Sequence, residues 1–99
     1  TMDSRFIDVR VKGDSMWPTL ENGSIVRFLR IDFNQLKPDL VVLSEHPLKK
    51  NFFIIKRISS IDNDKAFLIG DNPDPNASED SHNFGRVDVR NIIAIMIED

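Results

Sequence analysis

The chain contains no cysteine, so it has neither a disulfide framework nor a thiol nucleophile. That composition fits a cytoplasmic setting and does not exclude an extracytoplasmic one. No stretch concentrates Lys and Arg enough to form a nucleic-acid footprint, and 13 basic residues against 16 acidic ones leave a net charge of -3. The pair Lys49-Lys50 reads as a solvated loop tip. Long apolar runs are missing too. The longest uncharged ones, residues 52–55 and 92–97, fall far short of the roughly 20 residues a membrane-spanning helix needs. Nothing at the N-terminus resembles a signal peptide, although an anchor upstream of Thr1-Met2 remains possible. Helical periodicity is weak throughout. The best candidate is a single turn at 32–36, with Asp32 as its cap.

What is present is a series of short strands with polar punctuation. The 99 residues, 40% of them hydrophobic, suffice for one domain with one modest core. Ile7, Val9 and Val11 alternate with Asp8, Arg10 and Lys12, the period-2 pattern of a half-buried strand. Residues 25–31 form a second expected strand after the turn signal Asn22-Gly23. A third covers 39–44, entered after Pro38. Residues 52–61 and Lys65–Ile69 flank Asp62-Asn63-Asp64 and read as a hairpin. The run 92–97 reads as a closing strand buried on both faces. The expectation is an all-β, mainly antiparallel fold: a compact folded sheet or partial barrel with at most one or two short helical turns.

Three segments carry chemistry. The first, Gly13-Asp14-Ser15-Met16-Trp17-Pro18-Thr19-Leu20, sets one serine in a turn braced by glycine and proline. Serine is a poor nucleophile until a neighbouring base takes its proton. By sequence neither His46, in a loop before Pro47, nor His82 is well placed for that. The second segment, around Lys56, offers a different base. Strand alternation puts Lys56 on one face with Ile54 and Ile58, where burial disfavours the ammonium and frees the amine. Arg57, on the other face, stays charged and cannot serve as a base.

The third segment, 71–85, is the longest stretch without apolar periodicity, as functional loops often are. Ser78 and Ser81, with Asp80 between them, offer uncharged hydroxyls to orient a neutral lysine. A metal site is the competing reading of its acidic residues. The spacing of Asp71, Asp74, Glu79 and Asp80 lacks the central glycine and the twelfth-position glutamate of a calcium loop. No metal or other cofactor is expected. Acyl transfer also needs an oxyanion donor, for which the Ser15 amide is the natural candidate, with Gly13 admitting a close substrate backbone.

These segments resemble known boxes. Gly13-Asp14-Ser15-Met16-x-Pro18-Thr19-Leu20 is similar to the nucleophile box of the type I signal peptidase family. Lys56-Arg57-Ile58 resembles its lysine box, and Gly70-Asp71-Asn72 with Ser78-x-Asp80-Ser81-His82 its closing box. All three stand in the family's order and span most of the chain. The resemblance implies a Ser-Lys endopeptidase on a β fold shared with self-cleaving repressors. It implies Ser15 as nucleophile and Lys56 as general base, with Ser78 bonded to the lysine and Asp80 bracing the loop. Gly70, Asp71 and Asn72 would shape the site, and Gly13, Asp14, Met16 and Pro18 would contact substrate.

Three features depart from the family pattern. His82 stands in place of an arginine, the closing box is longer between Asn72 and Ser78, and only the hairpin region 59–68 separates Lys56 from Gly70. That compactness, with the phrase Ser44-Glu45-His46-Pro47 and Gly70-Asp71-Asn72-Pro73-Asp74, is most similar to the small branch of nickel-type superoxide dismutase maturation proteases. The implied partner is a precursor protein whose leader is removed, with the nickel belonging to the substrate. The other readings are the catalytic domain of a membrane-anchored signal peptidase and a self-cleaving repressor domain. The repressor reading is weakened by the lack of an Ala-Gly or Cys-Gly dipeptide.

Overall fold

The computed structural model describes residues 5–97; the first four residues, including Thr1-Met2, lie outside that range. Seven strands form one sheet: β1 (Phe6–Arg10), β2 (Ile25–Arg30), β3 (Val41–Glu45), β4 (Phe53–Asp62), β5 (Lys65–Ile69), β6 (Val87–Asp88) and β7 (Ile92–Met96). Their order is β1-β2-β7-β3-β4-β5-β6, every neighbouring pair is antiparallel, and the sheet curls into a half-barrel. The expected all-β fold is the observed one.

Period-2 alternation explains how so thin a sheet carries a core. On β3, Val42 joins a cluster with Ile58, Ala66, Leu68, Val87, Val89 and Ile92. Its neighbours Val41 and Leu43 join a second cluster with Met16, Phe28 and Ala94. Successive side chains leave opposite faces of a strand, so each face has its own small core. β7 serves both, since Ile92 and Ile95 pack on the first cluster and Ile93, Ala94 and Met96 on the second. The expected burial of this strand on both faces follows from its central place between β2 and β3.

The β4–β5 hairpin falls where the sequence places it, Asp62 pairing with Lys65 and Asn63 taking a φ of 56°. Asparagine accepts that left-handed conformation more readily than most residues. The turn expected at 32–36 is a short 3-10 element, closed by a bond from Gln35 N–H to the Asp32 carbonyl at 3.0 Å. The segment 71–85 is less irregular than its composition suggests. Pro75–Ala77 forms a 3-10 turn capped by Asp74, and Ser81–Phe84 forms a one-turn helix, α1, capped by Asp80. Both use short-range Asp caps, too local to show as periodicity.

Open strand edges among the described residues include those of β1 and the start of β4. β1 ends the sheet and pairs only with β2. β4 pairs with β3 from Phe53 onward, but with β5 only from Arg57. Its first four residues therefore present a free edge on the other side.

Candidate active site

Ser15 and Lys56 line one cleft of about 460 Å³, together with residues 9–12, Met16, Leu43, His46, Lys49, Glu79 and the free edge of β4. A cleft of that size is within the range that holds a small ligand or a few side chains. Its walls include both of these edges.

The serine is placed by its turn and by a strap laid over it. Gly13 adopts a φ of 83°, and its amide donates to Asn22 Oδ1 at 2.8 Å. Met16 is 1% exposed and anchors the turn in the second core cluster, while Trp17 and Pro18 remain exposed. The Trp17–Pro18 peptide bond is cis. The strap is Gly70-Asp71-Asn72. Asn72 donates its amide to the Ser15 carbonyl at 3.0 Å and its side-chain N–H to the Asp14 carbonyl at 2.7 Å. Asp71 receives the Thr19 hydroxyl on one oxygen.

Asp71 also ties the strap to the lysine strand. Arg57 donates to both of its oxygens, at 2.8 and 2.7 Å, and to the Asp39 carbonyl at 2.7 Å. Such a bidentate pair fixes direction as well as distance. The Arg57 hydrogen bonds hold the Asp71 carboxyl below its ordinary value, with the Thr19 bond adding to the effect. A carboxyl depressed on folding stabilises the native state above its unfolded pKa, and that contribution is lost as pH falls through the folded pKa. Asp71→Asn should accordingly lower stability at neutral pH by about 1–3 kcal/mol, with the deficit shrinking towards pH 2. Urea unfolding of both proteins across that range checks it; a constant deficit would assign the loss to packing.

Lys56 is 4% exposed. It pairs across the sheet with Val42 and lies two residues from Ile58, both wholly buried on that face. Burial pushes the Lys56 amine below its usual value, while the nearby Asp80 and Glu79 charges oppose the shift. That environment favours the neutral amine a general base requires. Lys56 and Ser15 share the cleft without a hydrogen bond between them.

The closing segment meets its expected roles unevenly. Asp80 stands at the start of α1. It caps α1 by accepting from the His82 amide at 2.9 Å, and a capping box joins it to Asn83. His82 Nδ1 lies 3.0 Å from Asp80 Oδ1, so the histidine occupies the place expected of an arginine partner. Ser81 Oγ accepts from the Leu68 amide at 2.9 Å, which pins α1 to β5. Ser78 differs from expectation. Its Oγ is buried without a hydrogen-bond partner, so the bond to Lys56 implied by the resemblance is not formed in this structure. A buried hydroxyl left unpaired costs about 1–3 kcal/mol, a cost that native folds seldom carry without cause. Gly70 lies against it, leaving no room for a side chain. Among the described residues no group of three or more His, Cys, Asp or Glu could hold a metal ion.

His46, which the sequence places in a loop before Pro47, is brought to the site by the fold. It lines the cleft, yet both ring nitrogens are engaged: Nδ1 accepts from the Leu48 amide and Nε2 donates to Glu79 Oε1, each at 3.0 Å. With no lone pair left, it cannot take a proton from Ser15. Its loop position argues against it as a base by sequence, and the structure adds a chemical reason. The link from Arg57 to Asp71 likewise has no periodic signal.

Neither a scan against protein-family models nor a search of the curated proteins finds a match for this chain.

Proposed function

We infer that the chain is a serine endopeptidase with a Ser15–Lys56 dyad, which removes an N-terminal leader from a precursor protein. One observation carries the reading. The lysine is buried and depressed in pKa in the same cleft as a strapped, half-buried serine, while the histidine beside them has no free lone pair. The order of the three sequence boxes supports it, and their compactness favours a nickel superoxide dismutase precursor as substrate.

The chemistry runs in two halves. Neutral Lys56 takes the Ser15 hydroxyl proton as Oγ attacks a substrate carbonyl, and the resulting oxyanion is held by the Ser15 amide. Lys56 then hands the proton to the departing amine, leaving an ester on Ser15. Water, deprotonated by Lys56, cleaves that ester and restores both groups. The open edges of β1 and β4 suit a substrate bound as an added strand, its main chain bonded along residues 9–12 or 53–56.

The test is cleavage of a nickel superoxide dismutase precursor, read by intact mass, with Ser15→Ala and Lys56→Ala as controls. One specific cut, lost in both variants, is expected. The rate should fall on the acid side as Lys56 gains its proton, and a rate flat from pH 5 to 9 would remove Lys56 as the base. If the precursor stays whole, secretory leaders are the next substrates, since a membrane-anchored signal peptidase uses the same dyad. No helix among the described residues is long and apolar enough to cross a membrane.

A further inference from the structure

His46 is oriented more firmly than a loop residue needs to be. Its side chain is 3% exposed, and its ring lies between Phe52 and Phe84, with centroids at 5.8 and 4.9 Å. The Leu48 amide occupies Nδ1, so the ring proton sits on Nε2 and points at Glu79. Glu79 is half open to solvent and would be hydrated without help. A rigid, desolvated donor therefore serves to hold the carboxylate in place. That place is the cleft wall facing Lys56, between Ser78 and Asp80 in sequence.

We propose that His46 and Glu79 are a positioning pair for the site: His46 holds the Glu79 carboxylate in the cleft as a fixed counter-charge to the Lys56 ammonium. The inference rests on the Ser-Lys reading for its functional meaning. Two carboxylates act on Lys56, Asp80 the more strongly and Glu79 second. From the same segment, Asp80 also acts on Lys56 but is committed to capping α1 and to His82. From β1 and the residues after it come Arg10 and Lys12, and from the β3–β4 connection Lys49, the other cations that line the cleft. Arg57, next in β4, is turned to Asp71. Glu79 also draws on Lys49, 3.9 Å away, so its position sets how much negative field reaches the lysine.

Glu79→Gln separates charge from geometry, because an amide oxygen still accepts from His46 while the charge is gone. Removing an anion beside an ammonium destabilises the ammonium. The Lys56 side-chain resonance, followed by NMR in lysine-labelled protein and assigned with Lys56→Met, should titrate at lower pH in the Gln variant. The acid limb of kcat/KM should move the same way, so the variant outpaces wild type below the optimum. His46→Phe keeps a ring between Phe52 and Phe84 but drops the N–H that holds Glu79, and should move the Lys56 midpoint in the same direction as Glu79→Gln by a smaller amount. Equal Lys56 midpoints in wild type and Glu79→Gln overturn the proposal, and so does a His46→Phe variant with the wild-type midpoint. The titration needs no substrate. A wild type that cleaves nothing would overturn the protease reading, while the midpoints would still decide whether Glu79 acts on Lys56.

Discussion

Lys56→Met is expected to abolish cleavage and, in the same protein, to raise thermal stability. The loss follows from removing the buried amine that shares the cleft with Ser15. The gain follows from burial. Lys56 is 4% exposed and its amine is pushed below the ordinary 10.5, so folding works against its charged form. The unfolded chain therefore binds more protons between the lowered folded pKa and 10.5, and stability rises with pH across that window. Below it the cost of the buried ammonium is fully present. Methionine has a similar length and no charge. Replacing buried charge by a well-fitting apolar side chain is commonly neutral or stabilising, here by about 1 kcal/mol. For a domain of this size that is roughly 4–8 °C in Tm. Thermal melts of both proteins from pH 6 to 10 give the answer. The variant should melt higher at pH 6, with the gap closing as pH rises. A variant that melts lower at every pH would mean that Lys56 is structural rather than held for its chemistry.

The second large effect is expected at Gly70, where alanine should cost most of the activity while leaving the sheet folded. A Cβ there would lie 2.6 Å from the Ser15 carbonyl oxygen and would also overlap the Ser78 hydroxyl. The serine side chain could rotate away. The backbone oxygen cannot, because it accepts from the Asn72 amide two residues further along the same strap. Relief has to come from moving the strap off the nucleophile turn. Overpacking of this kind costs about 1–3 kcal/mol, and a displacement near 1 Å at a reacting oxygen can cost roughly a hundredfold in rate. Measuring kcat/KM and Tm for Gly70→Ala tests both. The double variant Gly70→Ala/Ser78→Ala sharpens the result. It removes the softer clash and should recover little activity, since the Ser15 carbonyl remains in the way. Full recovery would place the constraint on Ser78 instead.

Residue patterns close together in the chain carried most of the fold. The alternation through Ile7, Val9 and Val11, the hairpin around Asn63, and the apolar run ending at Ile97 each report a local preference for extended backbone. Their positions match the observed strands to within a residue or two. The two-residue β6 and the Asp80-capped turn of α1 were not legible, because a strand or helix that short has no period to read. The site divides along the same line. Ser15 in its turn and Lys56 on an apolar face were visible as residue types in the right local setting.

The tertiary structure alone decided what surrounds them. Arg57 reaches Asp71 across 14 residues, Asn72 reaches Asp14 across 58, and His46 reaches Glu79 across 33. None of these separations repeats, so no pattern announces them. A hydrogen bond depends on where two polar atoms lie and what else each could bind, and both are set only once the sheet has curled. The same holds for Ser78, whose side chain reads as a polar loop residue and is instead a buried hydroxyl without a partner. Sequence by itself determined which groups could do the chemistry, since that is a property of side chains and their nearest neighbours. The curled sheet determined which of them meet, which are already engaged and which is left without water, because desolvation and direction arise only from packing.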